Sequence, residues 1–165
     1  MNLLILGAGE YGRLVKELAQ DAYSTIAFLD DASDLAIGPL SAYRDFKDRY
    51  PNAFVAIGNN EIRMEWIEKL ESAGFNLPSS ISARAYVSPS ALIGSGCCIE
   101  PMAVVHTAAT VCKGSLICAG AVVNHNAFVE AGCHINCNAV VGAHTVVPAK
   151  TKLNYCQSLK RNVKY

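Results

Sequence analysis

Two groups of residues in this chain have types and spacings that could do chemistry. The first is Gly7-Ala8-Gly9-Glu10-Tyr11-Gly12, a GxGxxG between an apolar run and a helical stretch. Glycines at that spacing let peptide N–H groups and a helix N-terminus approach a phosphate. Asp30 lies eighteen residues after Gly12, at the end of the next strand-like run, where an acid can accept protons from hydroxyls or base N–H groups. A third strand ends in Gly58-Asn59-Asn60 at the same edge of the sheet. Three strand-end loops on one crevice are suited to a nucleotide or nucleotide-sugar. The alternative is a tight turn beside a solvated acidic pair, Asp30-Asp31. The second group is His125 and His134, both placed to project outward and able to exchange protons near neutral pH.

The elements that must carry the first group alternate strand and helix. Strands are expected at Asn2–Leu6, Thr25–Leu29 and Phe54–Ile57. Helices are expected at Arg13–Asp21 and Glu61–Ser72, the second with Ile62, Trp66, Ile67 and Leu70 on one face. This pattern predicts a small Rossmann-like α/β domain over residues 1–78, a parallel sheet covered by helices. A domain of that size leaves no room for the second half of a redox dinucleotide fold.

The elements that carry the histidines follow a different rule. From Ile81 to Leu153 every sixth residue is aliphatic, and four places later comes a small residue, as in Ala103, Ala109, Ser115 and Ala121, with only the last, Gln157, not small. Six suits neither a helix nor a long alternating strand. It predicts a coil of short strands and tight turns, a left-handed parallel β-helix over residues 79–158, with a C-terminal tail at 159–165. Three hexads make one coil, so stacked residues lie eighteen apart. His125 takes the third place of its hexad, at a turn; His134 takes the last place of its own. Two outward apolar columns, Tyr86/Val104/Val122/Val140 and Leu92/Thr110/Phe128/Val146, call for burial. A closed threefold ring uses two faces of each subunit and so predicts a homotrimer. The alternative is that the sheet of the first domain covers one column.

Composition excludes several classes. The formal net charge is zero, so no field draws nucleic acid or an anionic membrane. No apolar run reaches the length of a membrane span or resembles a signal peptide, and a cytoplasmic protein is expected. The seven cysteines are expected to stay reduced; Cys97 and Cys133 read as small core fillers either side of Ser115. No CxxC spacing is present, so no metal is expected.

With GAGEYG, FLDD at Phe28–Asp31 and AIGNNEIR at Ala56–Arg63 ahead of thirteen hexads, nearly the whole chain resembles certain bacterial sugar acetyltransferases. They are those of the sialic-acid O-acetyltransferase and bacillosamine N-acetyltransferase type. The resemblance implies a trimer that moves an acetyl group from acetyl-CoA to an amino or hydroxyl group of a nucleotide-linked sugar, without a metal. It implies that Gly9, Glu10, Tyr11, Asp30, Asp31, Gly58 and Asn59 hold the nucleotide-sugar. His125 would be the general base, and His134, Gly142 and Ala143 would serve the acetyl-CoA end. Asn126 stands where the family has an acid; its amide can orient an imidazole without stabilising the charged ring. About two coils follow His125, fewer than in the family. On one prism the faces of His125 and His134 diverge, so their pairing implies a groove between subunits. The alternative function is a non-catalytic trimeric nucleotide-sugar-binding or scaffold protein derived from such an enzyme.

Overall fold

The computed structural model describes residues 1–160, which fall into two compact units divided after Ser80. The first unit runs β1 (Asn2–Leu6), α1 (Glu10–Ala19), β2 (Thr25–Leu29), a 3-10 segment (Leu40–Phe46), β3 (Asn52–Val55) and α2 (Asn60–Ser72). Its three strands are parallel in the order β2-β1-β3. The central strand is buried from Leu3 to Leu6, as its unbroken apolar run requires of a strand covered on both faces. Helix α1 buries Gly12, Val15 and Ala19 at helical spacing.

The elements differ from the sequence expectation in instructive places. Helix α1 starts at Glu10 rather than Arg13, so the last glycine of the motif lies inside it. A Cβ on Gly12 would collide with the Gly7 carbonyl, and Gly7 itself has φ +103°, so the turn needs both glycines. Strand β3 ends at Val55, although the Ala56 N–H still donates to the Leu6 carbonyl at 2.7 Å before the chain turns away. Helix α2 buries Arg63, Met64, Ile67 and Leu70, while Ile62 is exposed and Trp66 packs edge-on against Tyr43. The phase is set at the helix start. Asn59 caps it by accepting from the Ile62 N–H, and Arg63 turns inward to the strand-end carbonyls.

Asp30 ties the loops of this unit together. Its Oδ2 accepts from the Ala8 N–H at 2.8 Å and its Oδ1 from the Ala32 N–H at 2.9 Å. The bond from Ala8, then that from Ala32, hold its carboxyl below the ordinary carboxylate value.

In the second unit, fourteen two-residue strands from Ser80–Ile81 to Ser158–Leu159 wind into a parallel solenoid of about four turns. They form three sheets of five, five and four strands. The register is eighteen residues throughout, as in Leu116↔His134, Val122↔Val140 and Phe128↔Val146. The aliphatic of each strand points inward. Ile99, Val105, Val111, Ile117, Val123, Val129, Ile135, Val141 and Val147 have no exposed surface. The first hexads are less covered, and Ile81 is 43% exposed, because no earlier coil lies over them. The small position is equally closed. Ser115 satisfies its hydroxyl there by donating to the Glu130 carbonyl and accepting from the Cys133 N–H. The rhythm reaches Leu159, which pairs with Val141, so the residue expected to open the tail is still part of the coil. Residues 161–165 of that tail lie outside the described residues.

One regularity escaped the hexad reading. The fourth place of each hexad turns the corner in the left-handed region, with φ between 54° and 72° from Gly96 to Cys156. Glycine occupies only some of these corners; Met102, Ala108, Asn126, Asn138, His144, Lys150 and Cys156 take the rest.

Ile117→Ala should cost about 2–5 kcal/mol, because the rod interior cannot collapse around the cavity; chemical denaturation would read this as a lower midpoint at unchanged slope. Asp30→Asn should lower Tm at neutral pH. A carboxyl whose folded pKa is depressed contributes above its unfolded pKa and loses that contribution as pH falls through the folded value. The Tm gap between wild type and variant should therefore narrow as pH is taken below 3.8. A gap independent of pH would refute the assignment.

Candidate active site

The sheet order places a switch point between β1 and β3, where the chain leaves the central strand to opposite sides. The two loops that diverge there are Gly7–Gly12 and Ala56–Asn60. They touch: a Cβ on Gly7 would lie 2.6 Å from the Ala56 carbonyl oxygen. Gly9 ends the loop as the N-cap of α1 without a capping side chain, leaving the first N–H groups of the helix to other acceptors. A Cβ added at Gly9 or at Gly58 would meet nothing within 4 Å. Both glycines therefore expose bare backbone at the mouth of the crevice.

The other residues expected in this site divide between exposed and structural positions. Glu10 is exposed in the first turn of α1. Tyr11 packs its ring edge-on against Phe54 at 6.3 Å, which fixes it beside the sheet. Asp30 and Asp31 both hold backbone: Asp30 bonds Ala8 and Ala32, and Asp31 accepts from the Leu40 N–H at 2.9 Å. The Asn59 amide oxygen caps α2. The residue that the sequence reading left out is Arg63. Its guanidinium is fully buried and donates to the carbonyls of Ile57 and Gly58 and to Asn60 Oδ1, at 3.0, 3.3 and 2.8 Å. It carries the Gly58-Asn59-Asn60 loop from below. An arginine on the polar side of the expected stripe was the available signal, and the wrong helix phase concealed it.

On the solenoid, His125 sits exposed at a corner, and its backbone N–H donates to Asn124 Oδ1 at 2.8 Å. Its ring meets the His106 ring edge-on at 5.9 Å, and His106 in turn meets Tyr86 at 6.3 Å. Three rings thus climb the outside of the coil. Asn126, next in sequence, has φ +54° and donates its N–H to the Thr107 carbonyl. Asparagine tolerates that conformation better than most residues, which gives its presence there a backbone reason. Glu100 and Glu130 accept from the N–H groups of Ala119 and Ala149, each one coil onward.

His134 lies elsewhere, on a different sheet of the prism. Its Nε2 is 3.3 Å from Cys118 Sγ. Burial, then the neighbouring Glu100 carboxylate, push the Cys118 thiol far above its ordinary pKa. Next in sequence after the turn Gly142-Ala143, His144, Thr145 and Val146 line an open groove of about 500 Å³ with Leu159 and Lys160. The Gly142 N–H is engaged by the Leu159 carbonyl at 2.8 Å. The structure therefore brings His125 together with His106 and not with His134. Among the two apolar columns, Tyr86, Leu92, Phe128 and Val146 are 41–66% exposed.

Comparison with known proteins agrees with this architecture. Residues 2–70 match the PglD N-terminal domain family. The chain is 30% identical over 106 residues to a UDP-N-acetylbacillosamine N-acetyltransferase of Bacillus subtilis (strain 168), covering 58% of this chain. It spans about half of that relative, 49% of its length. Its fold superposes on the acetyltransferase domain of PglB from Neisseria gonorrhoeae FA1090 in complex with acetyl coenzyme A. The TM-score is 0.88 at 29% identity, over 96% of this chain and 84% of that one. A perosamine N-acetyltransferase variant from Caulobacter crescentus, in complex with CoA and GDP-perosamine, shares the fold. Its TM-score is 0.64 at 22% identity, over 92% and 90% of the two chains. No helix among the described residues is long and apolar enough to cross a membrane. Residues 2–70 thus carry a PglD-type N-terminal domain, and the chain as a whole, with its parallel solenoid, is similar in fold to the acetyl-CoA-bound PglB domain almost end to end.

Proposed function

We propose that this protein transfers an acetyl group from acetyl-CoA to an amino or hydroxyl group of a nucleotide-activated sugar, as a homotrimer of left-handed coils. The observation that carries the reading is the correspondence, over nearly the whole chain, with a domain that holds acetyl coenzyme A. The bare backbone of Gly9 and Gly58 at the switch point supports a phosphate-bearing acceptor, with Glu10, Tyr11, Asp30, Asp31 and Asn59 forming the rim. Asp30 and Asp31 act there mainly by holding the loops, each oxygen keeping a lone pair for a sugar or base donor.

His125 is the general base. Its neutral imidazole takes a proton from the acceptor amine or hydroxyl as that atom attacks the thioester carbonyl carbon. The tetrahedral oxyanion then collapses, the carbon–sulfur bond breaks, and the imidazolium returns the proton to the departing CoA thiolate. Asn126 and the edge of His106 orient the ring. His134 and the Gly142-Ala143 turn serve the acetyl-donor end, across a subunit boundary from His125. The exposed apolar columns support that boundary, since a soluble monomer rarely leaves such stripes uncovered.

A second reading has its own support. Glu100 and Glu130 each give one oxygen to a backbone donor one coil onward and neither is hydrogen-bonded to the His125 ring, and a non-catalytic nucleotide-sugar-binding scaffold is the alternative.

Thiol release from acetyl-CoA, measured against a panel of nucleotide-sugars, separates the two. Turnover should appear with at least one amino or deoxy sugar and fall about 10²–10⁴-fold in His125→Ala, with sugar-nucleotide affinity retained. Tight nucleotide-sugar binding without turnover would establish the scaffold instead. Light scattering after size exclusion should give three times the 17.6 kDa chain mass; a monomer at working concentration would remove the shared groove and the donor-end role of His134 with it.

A further inference from the structure

Glu100, Cys118 and Cys137 have no part in the proposed acetyl transfer, and together they have a chemistry of their own. Coiling brings Glu100, Cys118 and Cys137 together so that one carboxylate oxygen and the two sulfurs all lie within 4.8 Å of one another. His134 adds its Nε2 at 3.3 Å from the Cys118 sulfur. Cys118 is buried, and Glu100 and Cys137 are half-buried, so these are not solvated surface groups. The four residues come from successive coils: Glu100 and Cys118 are one register apart, and Cys137 follows two residues after the strand position that pairs with Ile117.

The geometry points to a zinc(II) site formed by Glu100, Cys118, Cys137 and His134. Two thiolates, an imidazole and a carboxylate are a donor set that zinc binds in four-coordinate geometry, and the soft sulfurs disfavour magnesium and calcium. In a tetrahedron with ordinary zinc–ligand distances, donor atoms stand about 3.3–3.8 Å apart. The Cys118–His134 pair already meets that separation. The Glu100, Cys118 and Cys137 atoms need to close by no more than about 1 Å, within the reach of a glutamate rotamer and a half-exposed cysteine, while His134 joins them from the Cys118 side. The backbone holding them is the solenoid ladder itself, so the site is rigid where structural metal sites need rigidity. Glu100 keeps its bond to the Ala119 N–H through Oε2, which orients the carboxylate toward the cluster as an outer partner would. The search for CxxC spacing missed this arrangement because, in a solenoid, ligands are separated by the length of a coil instead of by a turn.

The site includes His134, which the proposed function places at the donor end, but its test needs no turnover. The reduced full-length chain is titrated with cobalt(II) as a spectroscopic stand-in for zinc, following thiolate-to-metal charge-transfer absorption. One equivalent should produce the band, and zinc should bleach it by displacement. Cys137→Ala, at a half-buried position that the fold does not depend on, should abolish the band while the far-ultraviolet circular dichroism is unchanged. Cys112→Ala, after the Thr110–Val111 strand of a different sheet, should retain it. Zinc should also raise the Tm of wild type and leave that of Cys137→Ala unmoved. Absence of the band in wild type, or its persistence in Cys137→Ala, overturns the site. Neither result bears on the thiol-release assay, so failure here is distinct from failure of the acetyltransferase reading.

Discussion

The eighteen-residue register is the constraint on which the second unit depends. Each two-residue strand is too short to be stable alone, and it persists because the strands above and below satisfy its backbone groups. That ladder is possible only while every inward side chain has nearly the same reach. A row of Val, Ile and Leu at one place and Ala, Ser, Cys or Thr at the other keeps three walls equidistant. Packing and hydrogen bonding are here a single requirement, and they leave the outward surface free to carry chemistry.

The first unit solves a different problem with different means. Three parallel strands make a small sheet, so its loops must be fixed by individual side chains. Asp30 joins the glycine turn to the end of β2, Asp31 reaches the start of the 3-10 segment, and Arg63 supports the loop after β3 from inside. The acceptor end of the proposed reaction thus rests on a few buried or half-buried polar contacts. The donor end rests on a repetitive lattice.

The two halves were legible in the sequence to different depths. The hexads disclosed the solenoid, its register and its inward residues, because period and burial are coupled directly there. The strands of the first unit were placed within two residues. The helix starts were displaced, since a glycine inside a helix and an arginine facing inward both contradict local propensity. What pattern could not show was which polar groups meet across the coil. His106 was read only as a neighbour or surface residue beside His125, and its ring contact became definite with coordinates. The convergence of Glu100, Cys118, Cys137 and His134 depends on how far each side chain reaches around a corner, which spacing alone does not encode.

The left-handed corners have a consequence for how such a rod can change. Their backbone shape is dictated by the coil on either side, so glycine, alanine, asparagine, lysine and histidine all stand at equivalent places with nearly the same φ. Those vertices are sockets: their occupant can be exchanged without retuning the interior, although a β-carbon at Gly120 would press on the Asn138 amide oxygen. New reactivity can be added along an edge of the rod one vertex at a time, at a cost of about 1–2 kcal/mol where a β-carbon replaces glycine.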